Sequence, residues 1–184
     1  MRRMRNKIPR EKLLMVAESI FNSKIRYAIA LYLNPVTDVE KLKTKSLSAE
    51  ASKLQKLQNT MLRMIFEYRL QDQVNMEKLR RKINMFSVNQ MNIYHVLIEA
   101  FNIINYGSAD RIQEKWLPQN ERLYSNRRKE DVKVPRVEHI KCEGFSFYGA
   151  KTWNYLPQSI KSIKNPDLFK EKVKDFIWET IPSY

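Results

Sequence analysis

The sequence predicts a mainly α-helical fold with a minor β element, and three observations carry that prediction. Apolar residues recur at helical spacing along most of the chain, capping residues bracket those stretches, and a hydrophobic fraction of 43% over 184 residues is enough to bury a core. The length suits one domain or two small ones.

The first helix starts at Ile8-Pro9-Arg10-Glu11, because proline is tolerated at the first helical position and an acid suits the first turn. Leu13, Val16, Ala17, Ile20 and Phe21 form its apolar set. The helical pattern continues to Tyr32 and ends before Asn34-Pro35, since the residue ahead of a proline avoids helical geometry. Residues 36–48 are polar and charged and read as a connection. Over 49–68, Leu54, Leu57, Met61, Leu62 and Ile65 make one stripe, with Lys53, Lys56 and Arg63 off it.

Asn75 caps a shorter helix bearing Met76, Leu79 and Ile83. Ser87-Val88-Asn89-Gln90 is a capping box; Met91, Tyr94, Ile98, Phe101 and Asn105 follow it, and Gly107 stands at the C-cap. This is the strongest helix signal in the chain. After Trp116-Leu117-Pro118 the composition changes, and residues 119–144 read as a basic linker with a short strand expected at 134–140. Residues 145–184 then form a compact helical module. Residues 145–155 are aromatic-rich, and Pro157 interrupts them. Asn165-Pro166-Asp167 opens a last helix with Phe169, Val173, Phe176 and Ile177 on one face and Lys170, Lys172 and Lys174 off it.

Lys and Arg number 34 against 20 Asp and Glu, a formal charge of +14. A fold does not require that excess; its commonest use is to meet a polyanion, because each cation placed on a phosphate releases a condensed counterion. An acidic protein partner or an anionic membrane surface is also compatible. The one cysteine, Cys142, excludes an internal disulfide and a multi-cysteine zinc site. With no secretory leader, it points to a reducing compartment, nuclear or cytoplasmic. No stretch approaches the roughly 20 apolar residues that span a bilayer, so a soluble protein is expected.

Catalytic chemistry is poorly represented. Gly107, Gly144 and Gly149 are too dispersed for a Walker loop or a dinucleotide fingerprint. A two-metal polymerase centre needs carboxylates close enough to hold cations about 4 Å apart. The one adjacent acid pair, Glu130-Asp131, sits in the basic linker and reads as solvated charge. His95 borders the apolar stripe of the strongest helix and reads as a core or boundary residue. His139, with Glu138 and Cys142, matches no zinc spacing and lacks a third strong ligand. No catalytic residue, metal or cofactor is assigned, and enzymatic activity is left open.

Three segments resemble the C-terminal part of non-LTR retrotransposon (LINE- or jockey-like) reverse transcriptases. Phe21-Asn22-Ser23-Lys24-Ile25-Arg26-Tyr27 is similar to the helix after the palm. Leu54-Gln55-Lys56-Leu57-Gln58-Asn59, followed by Met61-Leu62-Arg63-Met64-Ile65, resembles a thumb helix of the same proteins. The run Tyr148-Gly149-Ala150-Lys151-Thr152-Trp153-Asn154-Tyr155-Leu156-Pro157, with Ile160, Asn165 and Phe169-Lys170 after it, resembles their C-terminal tryptophan–asparagine element and closing helix. In order and spacing the likeness covers residues 9–178. It implies a thumb-like helical region over 1–118 and a C-terminal helical module over 145–184. It also implies that the palm, with its aspartate pair, lies upstream of Met1, so polymerase activity does not transfer to these residues.

Thumbs of that family grip a template–primer mainly through its backbone, so the resemblance implies that helix-borne cations matter most. The candidates are Lys24 and Arg26, then Lys53, Lys56 and Arg63, then the cluster Lys78, Arg80, Arg81 and Lys82. Arg127, Arg128 and Lys129, near Tyr124, are candidates for a strand-tracking arm, with a plain linker as the alternative. Trp153, Tyr155, Phe145 and Phe147 are candidate stacking surfaces, but so small a module needs an aromatic core, and Trp153 is assigned to it. Three readings stay open. The chain is a phosphate-backbone binder of RNA or DNA without a catalytic site. Or it is a helical interaction or structural module, docking on a missing palm or surviving as a transposon remnant. Or it is an enzyme with an unrecognised site.

Overall fold

The computed structural model describes residues 8–26, 49–117, 131–135 and 144–181. Among them lie eight helices and no strand: α1 (Arg10–Arg26), α2 (Ala49–Phe66), α3 (Met76–Lys82), α4 (Val88–Tyr106), α5 (Asp110–Trp116), α6 (Phe145–Tyr155), α7 (Gln158–Lys161) and α8 (Pro166–Thr180). The protein is mainly helical, as its periodicity predicts. Val134 and Pro135 are irregular rather than strand. The remainder of the expected strand, and residues 27–32 of the expected first helix, lie outside the described residues.

Local chemistry sets the helix ends. Asn75 accepts from the Lys78 amide at 2.9 Å. Ser87 and Gln90 satisfy each other's backbone amides in a complete capping box at the start of α4. Gly107 closes α4 at φ +63°, a left-handed position that costs glycine least. Asn165 caps α8 through the amides of Asp167 and Leu168, with Pro166 at the first helical position.

Two apolar cores form. The smaller joins Leu13 and Ala17 of α1, Met61, Leu62 and Ile65 of α2, Leu79 of α3 and Met85. The larger joins Ile93, Leu97 and Phe101 of α4 to Trp116 of α5, Val132, Trp153 of α6, and Phe169, Val173 and Ile177 of α8. Phe169 stacks between Phe101 and Trp153, with ring centroids at 4.3 and 5.8 Å. Residues on both sides of 118–144 therefore contribute to this larger core. The reason lies in α4. Val96, Leu97, Ala100, Phe101 and Ile103 are buried on several of its faces, so no single neighbouring helix can cover it.

Two polar joints fix the helices. In α2, Gln55 and Gln58 are buried on the side of the helix that carries Leu54, Met61, Leu62 and Ile65. Gln55 Oε1 accepts from the Val88 amide at 2.9 Å, one of the donors a helix start leaves without a partner. Gln55 Nε2 donates to Gln58 Oε1 at 2.7 Å, and Gln58 Nε2 donates to the Phe86 carbonyl at 2.8 Å. Turning these amides inward turns Leu57 outward, to 56% exposure. In α1 the inward face is Leu13 and Ala17, while Val16 and Ile20 of the expected apolar set are exposed.

The second joint holds residues 131–135. The Asn154 carboxamide accepts from the Val132 amide at 2.9 Å and donates to its carbonyl at 2.8 Å, as a neighbouring strand would. Lys161, buried, donates to Asp131 at 2.6 Å and to the Asn154 carbonyl at 3.1 Å. The Lys133 amide reaches the Trp116 carbonyl at 2.9 Å. Trp116 lies against Gly149, where a Cβ would come within 2.8 Å of the indole ring.

Candidate nucleic-acid interface

In the seven-residue helix α3, positions 78, 81 and 82 stand three and four apart and so share a face. Lys78, Arg81 and Lys82 are exposed there, while Leu79 and Arg80 point into the protein. Arg80 departs from the expectation that all four cations of this run meet a ligand. Its side chain is buried and donates from Nη1 to Asn59 Oδ1 of α2 at 2.7 Å. Burial lowers its pKa well below the ordinary guanidinium value, to about 10, against the opposing pull of Glu77. Arg80 ties α3 to α2 and presents no charge to a phosphate.

The other expected cations divide by what already holds them. Arg63, half-buried, donates from Nη1 to the carbonyls of Arg69 at 2.7 Å and Asp72 at 3.2 Å, and so secures the turn after α2. Lys53, Lys56, Lys78 and Lys82 are exposed and enter no ion pair among the described residues. Lys24 and Arg26 fall in the last turns of α1, and their side chains lie outside the description, as do Arg127, Arg128, Lys129 and Tyr124 altogether.

Arg81 connects this face to α8. Its Nη2 donates to the Trp178 carbonyl at 2.8 Å, and its guanidinium lies 5.9 Å from the Trp178 ring centroid, within cation–π range. Its link to Glu77, at 4.0 Å between exposed groups, is weak. Lys170, Lys174 and Trp178 stand four apart along α8, so one line of that helix continues the cationic face. Lys170 also pairs with Asp167 at 3.0 Å. Beneath Trp178 runs an aromatic stair of Phe86 at 5.0 Å, Tyr94 at 5.7 Å from Phe86, and His95 edge-on to Tyr94 at 5.6 Å.

No protein-family model, curated protein or solved structure matches the chain. The site is therefore read from its own chemistry. Among the described residues no group of three or more His, Cys, Asp or Glu is placed to hold a metal ion, and no helix is long and apolar enough to cross a membrane. What α3 and α8 do present is a set of cationic side chains beside the Trp178 indole. Trp153, by contrast, is buried in the larger core, while Phe145 and Phe147 are half-buried.

Sequence reasoning missed Trp178 and gave Lys170 and Lys174 no role beyond leaving the apolar face. The i, i+4, i+8 line of α8 was legible. Its apposition to Arg81, 97 positions away, was not.

Proposed function

We propose that the chain binds the phosphate backbone of RNA or DNA through its helical scaffold and leaves chemistry to other polypeptide. This is the role that the thumb and C-terminal part of a non-LTR reverse transcriptase would play beside its palm. One observation carries the reading: Lys78, Arg81 and Lys82 share the exposed face of α3, where Arg81 meets Trp178, and no acid among the described residues pairs with Lys78 or Lys82. Arg81 and Lys82 suit the C-terminal turn of α3, but Lys78 stands three and four residues from them and is repelled by a few tenths of a kcal/mol per pair. A polyanion turns that repulsion into binding. The reducing nuclear or cytoplasmic compartment suggested by composition is where such a ligand is found.

Filter binding of single-stranded RNA and DNA across a salt series tests this. The expected result is retention of both, weak sequence preference, and affinity that falls linearly on a log–log plot against salt. Absence of retention at low salt refutes it.

A second reading, a docking module for another protein such as the palm, draws on Met15, Val16 and Ile20, which leave an apolar patch exposed on α1. It predicts association that salt does not weaken.

A further inference from the structure

We infer that the end of α5, together with α6 and α7, forms a recognition site for a short peptide carrying an acid followed directly by valine. The chain fills this site with its own residues 131–135. The inference goes beyond nucleic-acid binding and does not depend on it.

These five residues sit as a peptide ligand sits. They belong to no helix or strand, and the helices around them hold their main chain. The Asn154 carboxamide of α6 takes both main-chain groups of Val132, accepting from its amide at 2.9 Å and donating to its carbonyl at 2.8 Å. The Lys133 amide donates to the Trp116 carbonyl at the end of α5, at 2.9 Å. Bonds to the main chain give a peptide site its grip, and places for alternate side chains give it selectivity. Val132, 1% exposed, enters the larger core, and Val134, two residues on, packs against that core. This is the alternation of a strand without a strand beside it.

Lys161 of α7 sets the other determinant. Its side chain has 0% exposure, so its ammonium needs an opposite charge delivered to it. Asp131, 20% exposed, supplies one at 2.6 Å, and the Asn154 carbonyl adds an acceptor at 3.1 Å. A segment with a neutral residue in that place would leave a buried cation without its carboxylate. The site therefore selects an acid at the first position and valine at the second. A free peptide of the same sequence makes the same contacts, but the chain's own segment competes with the advantage of covalent attachment. Weakening that segment opens the site.

Anisotropy titration of the whole chain with a labelled, end-capped peptide Asp-Val-Lys-Val-Pro tests the site. Asp131→Ala with Val132→Ser strips both determinants from the chain's own segment and leaves Asn154 and Lys161 in place. This double variant should bind the peptide saturably, and about 10-fold or more tighter than the parent, the scale of one hydrogen bond to a charged group. Asparagine in place of the peptide's aspartate, or Asn154→Ala added to the double variant, should each weaken binding by about 10-fold. A scrambled peptide of the same composition measures general attraction to the +14 chain. Absence of saturable binding, or equal binding of the scrambled peptide, overturns the inference. Should the double variant unfold, added peptide is expected to restore its helical circular dichroism. A double variant that stays unfolded with peptide shows residues 131–135 to be core and not ligand, which overturns the inference as well.

Discussion

Replacing Lys78, Arg81 and Lys82 together with glutamine removes the exposed face of α3 while leaving the helix intact, since glutamine has nearly the helix propensity of lysine and arginine. Each phosphate contact on a single strand contributes about 0.7 to the slope of log affinity against log salt. Three full contacts would contribute about 2, or about 100-fold in affinity near 0.1 M salt. The structure trims that figure. Lys78 and Lys82 enter no ion pair among the described residues, whereas Arg81 already donates to the Trp178 carbonyl and lies 4.0 Å from Glu77. Counting only the two lysines gives about 1.4, so the slope should fall by about 1.4 to 2.

A charge-matched control is available in Arg111, Lys115 and Lys164. Lys164 donates to Asn105 at 3.0 Å, near the C-terminal end of α4, and α5 with Arg111 and Lys115 follows at once. The α3 face adjoins the other end, since α4 begins six residues after Lys82. At about 1.5 Å per residue, the length of α4 separates them by about 27 Å. Anisotropy titrations of a labelled single strand at several salt concentrations read both triples. Equal loss from both would mean that charge acts as a diffuse field with no built surface, and an unchanged slope in the α3 triple would refute the reasoning outright.

Asn154→Ala leaves the amide and carbonyl of buried Val132 without their partner and should cost about 2–4 kcal/mol in urea unfolding; a loss under about 0.5 kcal/mol would mean that Asn154 does not hold residues 131–135. Gly149→Ala drives a methyl to within 2.8 Å of the Trp116 ring and should destabilise by about 1–3 kcal/mol, read as a lower Tm, whereas an unchanged Tm would show that the indole can yield. For Arg80, burial holds the folded pKa, about 10, below the ordinary guanidinium value, so above about pH 10 the unfolded chain binds the proton more tightly. The burden of the buried charge is thus complete at pH 7 and eases as pH rises through about 10. Stability relative to Arg80→Met should be flat from pH 7 to 9, then rise by up to about 1.4 kcal/mol per pH unit; a flat difference up to pH 11 contradicts the assignment.

What the sequence made legible follows the range of the interactions involved. Asn75, Ser87 with Gln90, Gly107 and Asn165 were all readable as helix ends, because each acts on groups within four residues. Side-chain exposure was less readable. Periodicity places Leu57 on the apolar stripe, and Gln58, four residues after Leu54 and three before Met61, shares that face; the structure buries Gln58 and Gln55 against Phe86 and Val88, 28 and 33 positions away, and leaves Leu57 exposed. In the same way Arg80 is indistinguishable from its basic neighbours until Asn59, 21 positions back, is brought against it. At the candidate interface Lys78, Arg81 and Lys82 stood out as a run of charge, while Trp178, Phe86 and Tyr94 carried no local sign that their rings would meet.

Two of the segments on which the expected family resemblance rests lie at the two polar joints. Leu54-Gln55-Lys56-Leu57-Gln58-Asn59 commits Gln55, Gln58 and Asn59 to Val88, Phe86 and Arg80. Trp153-Asn154-Tyr155-Leu156-Pro157 commits its indole to the core and its carboxamide to Val132. Polar side chains engaged in this way are expensive to disturb, because a buried donor or acceptor left alone loses about 1–3 kcal/mol. Such residues specify how helices meet and contribute nothing directly to a ligand. Likeness at these positions therefore speaks to the scaffold, and the binding reading must stand on the exposed cations of α3 and α8. The two can be separated: the α3 triple variant should fold as the parent does and lose nucleic acid, while Asn154→Ala should weaken the fold and keep the salt slope for as long as the chain stays folded.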